Sequence, residues 1–403
     1  MRNEMMIGAW VEPSATRKAY RLAKEMGLTH LFIGDSVFGI ERGTAAFAKL
    51  LRLCESTGLR AIIRNMNQYP FQDPTDYTLY PAVEGINYWD EPFDTDFEKV
   101  ADLAEEHERK FCNRLFCFNN LNPNETAEGW HPWSAEKDYE QYIEEYCKKV
   151  LSKVQYGEKW LSCDIYPLIL SGDNIIVKET WLPGLECIAK YAKKYNAESH
   201  FFVQTSSWLH YPPMTEAGLR YQFSVEMAYG IRHYSYFTYA DYDDGTEHSA
   251  KFKGLVDGKE EPRPQYAFAK SINAELKSIQ ADYLSWDWQG VLPIAGEKTQ
   301  KLFGSLKNSI SDLSGLTQVK SSRDLLVGSF LSAEKENIYA LANFHNPFEP
   351  GENRIALTIP NRLSVRVFSR GEWAEHPLEK ETLQLTLAPG EGVFVQLNEN
   401  GRK

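Results

Sequence analysis

The segment Tyr88-Trp89-Asp90-Glu91-Pro92-Phe93 sets two adjacent carboxyls between aromatic rings, directly after Gly85-Ile86-Asn87. A strand that ends in acids and is turned outward by proline places a carboxyl on a rim, where neighbouring rings can stack on a sugar face. Such a carboxyl suits general acid/base work on a glycosidic bond, and Glu91 is the candidate proton donor. It also has a structural use, because a helical pattern begins near Asp94 and acids stabilise helix N-termini.

The second carboxylate is expected at Asp164, which closes a strand pattern in Ser162-Cys163-Asp164-Ile165-Tyr166-Pro167. Strands lie about 4.8 Å apart, so residues two strands away on a curved wall stand roughly 8 to 10 Å apart at the backbone. Inverting glycosidases hold their carboxyls about 6.5 to 9.5 Å apart around a water, a gap that Glu91 and Asp164 could flank. Support of the strand end is the structural alternative for Asp164. Asp241 is the next acid in line, and Glu12 and Asp35 follow the first two strands. Sugar contacts are expected from Trp89, Asp90, Gln204, Trp208, Tyr166, Asp241, Glu12 and Asn119, with Asn120 able to serve like its neighbour. Trp130, His131, Trp133, His210 and Tyr211 are loop residues that suit either stacking or plain loop packing.

Other chemistries find little in the chain. The nine histidines are scattered without HExxH spacing, and Asp241-Tyr242-Asp243-Asp244-Gly245 lacks the distal glutamate of a calcium loop. GxSxG, Walker and Rossmann fingerprints are missing as well, so neither metal nor cofactor is expected. The net charge of −12 without a basic cluster argues against nucleic acid and anionic membranes as partners. A carbohydrate fits better, since 10 Trp and 22 Tyr supply flat amphipathic rings.

The elements that must hold these residues alternate. Strand patterns at Ile7–Val11, His30–Ile33, Arg60–Ile63, Ile86–Trp89, Arg114–Phe118, Trp160–Asp164, His200–Gln204 and Arg232–Phe237 are separated mostly by amphipathic helices. Eight such units in about 240 residues predict a (β/α)8 TIM barrel, with the third helix reduced among the prolines of 66–85. A long helix over Gln265–Ile279 follows, and from about Gln289 short alternating runs predict a C-terminal all-β sandwich. The domains are therefore expected at 1–285 and 286–403. The six cysteines form no CxxC pair and read as free thiols. No charged-then-apolar leader precedes Ile7, from which a cytoplasmic location is expected.

Together, a fourth strand ending in Asp90-Glu91-Pro92, a sixth in Ser162 to Pro167, and Met227-Ala228-Tyr229-Gly230 before strand eight resemble glycoside hydrolases of clan A, close to the family 42 beta-galactosidase type. The likeness covers nearly the whole chain through short motifs. It implies hydrolysis of a β-linked sugar or oligosaccharide, with Glu91 as acid/base. The clan has Asn before this glutamate, where Asp90 stands here. It also ends strand seven in a nucleophilic glutamate, where this chain has Gln204, which matches glutamate in size but lacks its nucleophilic charge. Three accounts follow: an engineered Glu-to-Gln substitution, a different second carboxylate, or a non-catalytic carbohydrate-binding barrel.

Overall fold

The computed structural model describes residues 2–34, 40–65, 67–73, 75–111, 114–125, 133–243, 245, 251–296, 301–360 and 363–399. Asp35, Cys112, Trp130, His131 and Asp244 lie outside the described residues.

Eight strands form one parallel sheet: β1 (Ile7–Ala9), β2 (His30–Gly34), β3 (Arg60–Arg64), β4 (Val83–Asp90), β5 (Phe116–Leu121), β6 (Trp160–Cys163), β7 (Glu198–Gln204) and β8 (His233–Phe237). From β2 to β8 each pairs with its sequence neighbour, and β8 returns to β1. The seam between β1 and β2 is drawn together by the Thr29 amide donating to the Ile7 carbonyl at 2.8 Å and the Ile7 amide donating to Thr29 Oγ1 at 2.9 Å. The sheet is thus a nearly closed barrel, as the alternation predicts. Phe32, Phe116, Phe118, Trp160 and Phe202 fill its interior, while an outer core lies between strands and helices.

The helices are α1 (Arg17–Glu25), α2 (Ala45–Thr57), α3 (Phe97–Phe111), α4 (Tyr139–Lys149), α5 (Trp181–Tyr195), α6 (Glu216–Ala228) and α7 (Pro264–Ser285). Thr16, Thr44, Asp138 and Thr215 cap four of them, each accepting from a backbone amide of the first turn. Between β3 and β4 the described residues hold one 3-10 turn, Tyr77–Leu79, in place of a helix. None of the described helices is long and apolar enough to cross a membrane. The five described cysteines are free and buried.

After α7 the chain turns antiparallel. One sheet has six strands, in the order Asp287–Ile294, Leu325–Leu331, Asn337–Asn343, Gly392–Glu399, Leu363–Ser369 and Glu372–Glu375; a second has three, Gln318–Ser321, Asn353–Thr358 and Thr382–Leu387. Val327, Tyr339, Leu341, Ile355, Leu357 and Leu383 pack between them. The opposite face of the larger sheet joins the barrel's outer core through Leu326, Phe330, Ile338, Ala340 and Phe394.

That contact is close at Gly328, where a Cβ would fall 2.2 Å from the Ala228 carbonyl oxygen at the end of α6. Gly328→Ala forces backbone apart and is expected to cost about 1–3 kcal/mol, the range for overpacking. A lowered urea midpoint checks it; an unchanged midpoint would mean that the sheet does not seat on α6 in this way.

Candidate active site

The turn that presents Glu91 begins in the backbone. Glu91 has φ 52°, in the left-handed region, which costs a non-glycine residue about 1–2 kcal/mol. Hydrogen bonds hold it there. The Asp90 amide donates to Asn67 Oδ1 at 2.7 Å and Asn67 Nδ2 donates to the Asp90 carbonyl at 2.9 Å. The Glu91 amide donates to the Asn120 carbonyl at 2.8 Å. The Pro92 carbonyl accepts from Asn122 Nδ2 at 2.8 Å and from the Tyr142 hydroxyl at 2.7 Å.

Asp90, Glu91 and Asp164 meet at the C-terminal end of the barrel. Asn120 Nδ2 donates to Asp90 Oδ1 at 3.2 Å and to Asp164 Oδ1 at 2.9 Å. The Tyr166 hydroxyl donates to Asp164 Oδ2 at 3.3 Å. Glu91 and Asp164 interact electrostatically across this rim.

Burial pushes Glu91 up to about 8, the charges of Asp90 and Glu125 add to it, and the neighbouring Asp164 opposes it. By surface area Glu91 is exposed at the mouth, so the upward direction rests chiefly on the repulsion from Asp90 and Glu125. Burial, then the charges of Glu91 and Asp90, push Asp164 well above the carboxylate range against the Asn120 bond. Asp90 rises through burial too, opposed by Asn120 and by the Arg64 charge. The acids titrate as one cluster and retain a proton at neutral pH.

An aromatic wall adjoins them. Trp208 stacks on Tyr211 at 4.0 Å and 24°, and Tyr166 meets Trp208 edge-on at 5.3 Å. Lys178 Nζ donates to the Tyr211 hydroxyl at 2.6 Å and pairs with Glu125. Trp208 is half-buried, which leaves surface for a ligand.

Several expected contacts lie elsewhere. Gln204 is fully buried, its Nε2 donating to the Leu168 carbonyl at 2.9 Å and its Oε1 accepting from the Leu168 amide at 3.1 Å. This pairing needs one donor and one acceptor, which an amide has and a carboxylate lacks. Gln204 therefore fits its place, which argues against an engineered knock-out. Trp89 packs into the outer core, with the Lys99 ammonium 6.0 Å from its ring, because a bulge between Asn87 and Trp89 breaks the strand's alternation. Asn119 donates to the Tyr146 hydroxyl at 3.1 Å on the helix side; β5 runs to Leu121, so strand parity sends Asn119 out and Asn120 in. Glu12 is buried against Arg64 at 2.9 Å. Asp241 is held by both Arg263 nitrogens, at 2.6 and 2.8 Å. Trp133 packs on Tyr139 and donates to the Lys137 carbonyl, so it serves its loop.

The sequence pattern offers Asn120 only as an equal of Asn119 and does not single out Ser162, Arg64, Glu125 or Lys178. The register Asp90↔Asn120↔Ser162↔His200 across β4 to β7 is the signal that could have found the first two. Among the described residues no group of three or more His, Cys, Asp or Glu is placed to hold a metal.

Neither a protein-family model nor a curated protein matches the chain. Among solved structures it is similar to a Bacteroides fragilis protein whose assignment as an alpha-galactosidase is itself inferred, with TM-score 0.52, 11% identity, and coverage of 98% of this chain and 80% of that one. A Croceicoccus marinus glucosidase has TM-score 0.45 at 11% identity, covering 98% and 95%. A Thermotoga petrophila endo-beta-1,4-mannanase has 0.42 at 11%, covering 95% and 98%. At such identity the likeness concerns fold alone, and only the first match is close enough to support even that.

Two outcomes test this site. Gln204→Glu leaves the Leu168 carbonyl without its donor and buries a carboxylate, at a cost of about 1–3 kcal/mol; denaturation should show a loss that shrinks on acidification, and a variant as stable as the parent at pH 8 would refute the pairing. Because Glu91 is raised from 4.5 to about 8, the folded chain binds a proton that the unfolded chain has released. That contribution is full below 4.5 and is lost as pH rises through about 8. Glu91→Gln should flatten the stability profile in this window; an unaltered slope would remove Glu91 as its source.

Proposed function

We propose that the chain is a glycoside hydrolase with Glu91 as proton donor and Asp164 as the second carboxylate. The observation that supports it most is the gathering of Asp90 and Asp164 on the Asn120 amide at the barrel mouth, with the raised Glu91 carboxyl next to them, beside the wall of Tyr166, Trp208 and Tyr211. A group poised near the working pH donates protons efficiently, and rings beside it suit a sugar face.

Carboxyls about 5–5.5 Å apart serve retention and those about 6.5–9.5 Å apart serve inversion, so the product anomer decides which role Asp164 plays. The Bacteroides fragilis neighbour carries an alpha-galactosidase assignment, so a β-linked substrate rests on the family resemblance alone.

A sugar-binding barrel without turnover is the second reading, favoured by Gln204, whose amide is spent on Leu168 where the clan has its nucleophile. NMR analysis of product anomers over a panel of natural disaccharides and nitrophenyl glycosides separates the readings. Hydrolysis should fall on the alkaline side with a midpoint near the Glu91 value of about 8. Glu91→Gln should lower kcat/KM about 10²–10⁴-fold on poor leaving groups and far less on activated ones. Equal losses on both classes would refute the acid role, and binding without cleavage would leave only the second reading.

A further inference from the structure

The barrel interior carries one polar line that the proposed reaction has not used. Ser162 Oγ lies 2.8 Å from Asn120 Oδ1 and 2.8 Å from His200 Nδ1, and His200 Nε2 lies 2.8 Å from Ser235 Oγ. Phe118 and Phe202 enclose the imidazole at 5.2 and 4.9 Å. Gly8 makes room for the line at its far end, since a Cβ there would fall 2.3 Å from Ser235 Oγ.

Proton bookkeeping orients every link. Asn120 must turn its amino group to Asp90 and Asp164, because carboxylates only accept. Its Oδ1 then faces Ser162, whose single hydroxyl hydrogen goes to it. Ser162 has none left for His200, so His200 Nδ1 carries the hydrogen and Nε2 accepts from Ser235. All the donors point toward the carboxyls. In the other tautomer Ser162 would give its hydrogen to His200, leaving Asn120 Oδ1 without a donor and free to turn its oxygen on the acids.

From this geometry we infer that His200 is a positioning residue: through Ser162 it fixes the Asn120 amide, whose aimed donors favour Asp90 and Asp164 as acceptors and so set how the cluster's proton is divided with Glu91. The inference deepens the proposed hydrolase reading and rests on the same site. The groups that act on the shared proton are Asp90, Asp164 and Glu125, with Arg64 opposite them. Around His200 they are His233 and His30, which together with burial hold it well below the usual histidine range and therefore neutral.

The test reads protons rather than turnover. In the intact protein with ¹⁵N-labelled histidine, the His200 signal, assigned by its loss in His200→Gln, should show the Nδ1–H tautomer unchanged across pH 5 to 9. In Ser162→Ala the ¹³C titration of the Glu91 carboxyl should move down by about one pH unit, a tenfold change in proton affinity, as Asp164 takes the proton. Ser162→Thr, which keeps the hydroxyl, should restore it. An Nε2–H tautomer, a His200 that titrates in this range, or a folded Ser162→Ala with unmoved carboxyls would overturn the inference. If Ser162→Ala does not fold, the tautomer in the parent protein decides alone. A parent that cleaves no sugar defeats the hydrolase reading and leaves these titrations as they are.

Discussion

A non-glycine residue stays at φ 52° only when its surroundings over-determine it, and Glu91 is fixed from both sides of its peptide. Asn67 grips Asp90 by amide and carbonyl, the Asn120 carbonyl takes the Glu91 amide, and the Pro92 carbonyl takes two donors. These partners come from the ends of β3, β5 and α4, so the turn forms only when three barrel units have closed around it. A strained turn on rigid elements aims a side chain more accurately than a free loop could. Asn120 serves twice, its carbonyl on the Glu91 backbone and its side chain on the acids, which ties the direction of the Glu91 carboxyl to the placement of its neighbours.

Gathering Asp90, Glu91 and Asp164 costs stability, because burial raises the proton affinity of all three, and the charge of Asp90 on Glu91 and of both on Asp164 adds to it. The molecule offsets the cost only in part. Arg64 is shared between its ion pair with Glu12 and its attraction for Asp90, while Lys178 pairs with Glu125 at the cluster's edge. What is left uncompensated is a proton held near neutral pH. A well-paired arrangement would have ionised this acid fully.

Much of the fold was legible because strand and helix periods differ and eight alternations leave few alternatives. The strand-end acids were legible for the same reason: Asp90, Glu91 and Asp164 stand where an apolar run stops. What failed depends on single-residue parity. Extending β5 by three residues reversed the meaning of Asn119 and Asn120, and a bulge sent Trp89 from the rim into the outer core. Gln204 failed differently. Reading it as an altered glutamate supposed that it faced a ligand, whereas its partner is the backbone of Leu168, thirty-six positions away in sequence. No periodicity carries such a partner.

The two ends of the barrel treat the same residue type in opposite ways. At the N-terminal end burial alone would raise Glu84 and Glu198, yet His30 and Arg2 bring Glu84 down to about 2, and His233 and Arg232 bring Glu198 down to about 2. A depressed carboxyl contributes stability that is present above its unfolded value near 4.5 and is lost only as pH falls toward 2. The mouth has the reverse sign, losing stability as pH rises. Across the neutral range, then, the paired acids at the base stabilise the barrel fully while the unpaired acids at the mouth oppose it. His200 stands between the two sets, kept neutral by burial and by His233 and His30. A charge there would add to the positive groups at the base, so neutrality at the centre separates the ion-paired end of the barrel from the crowded acids at its mouth.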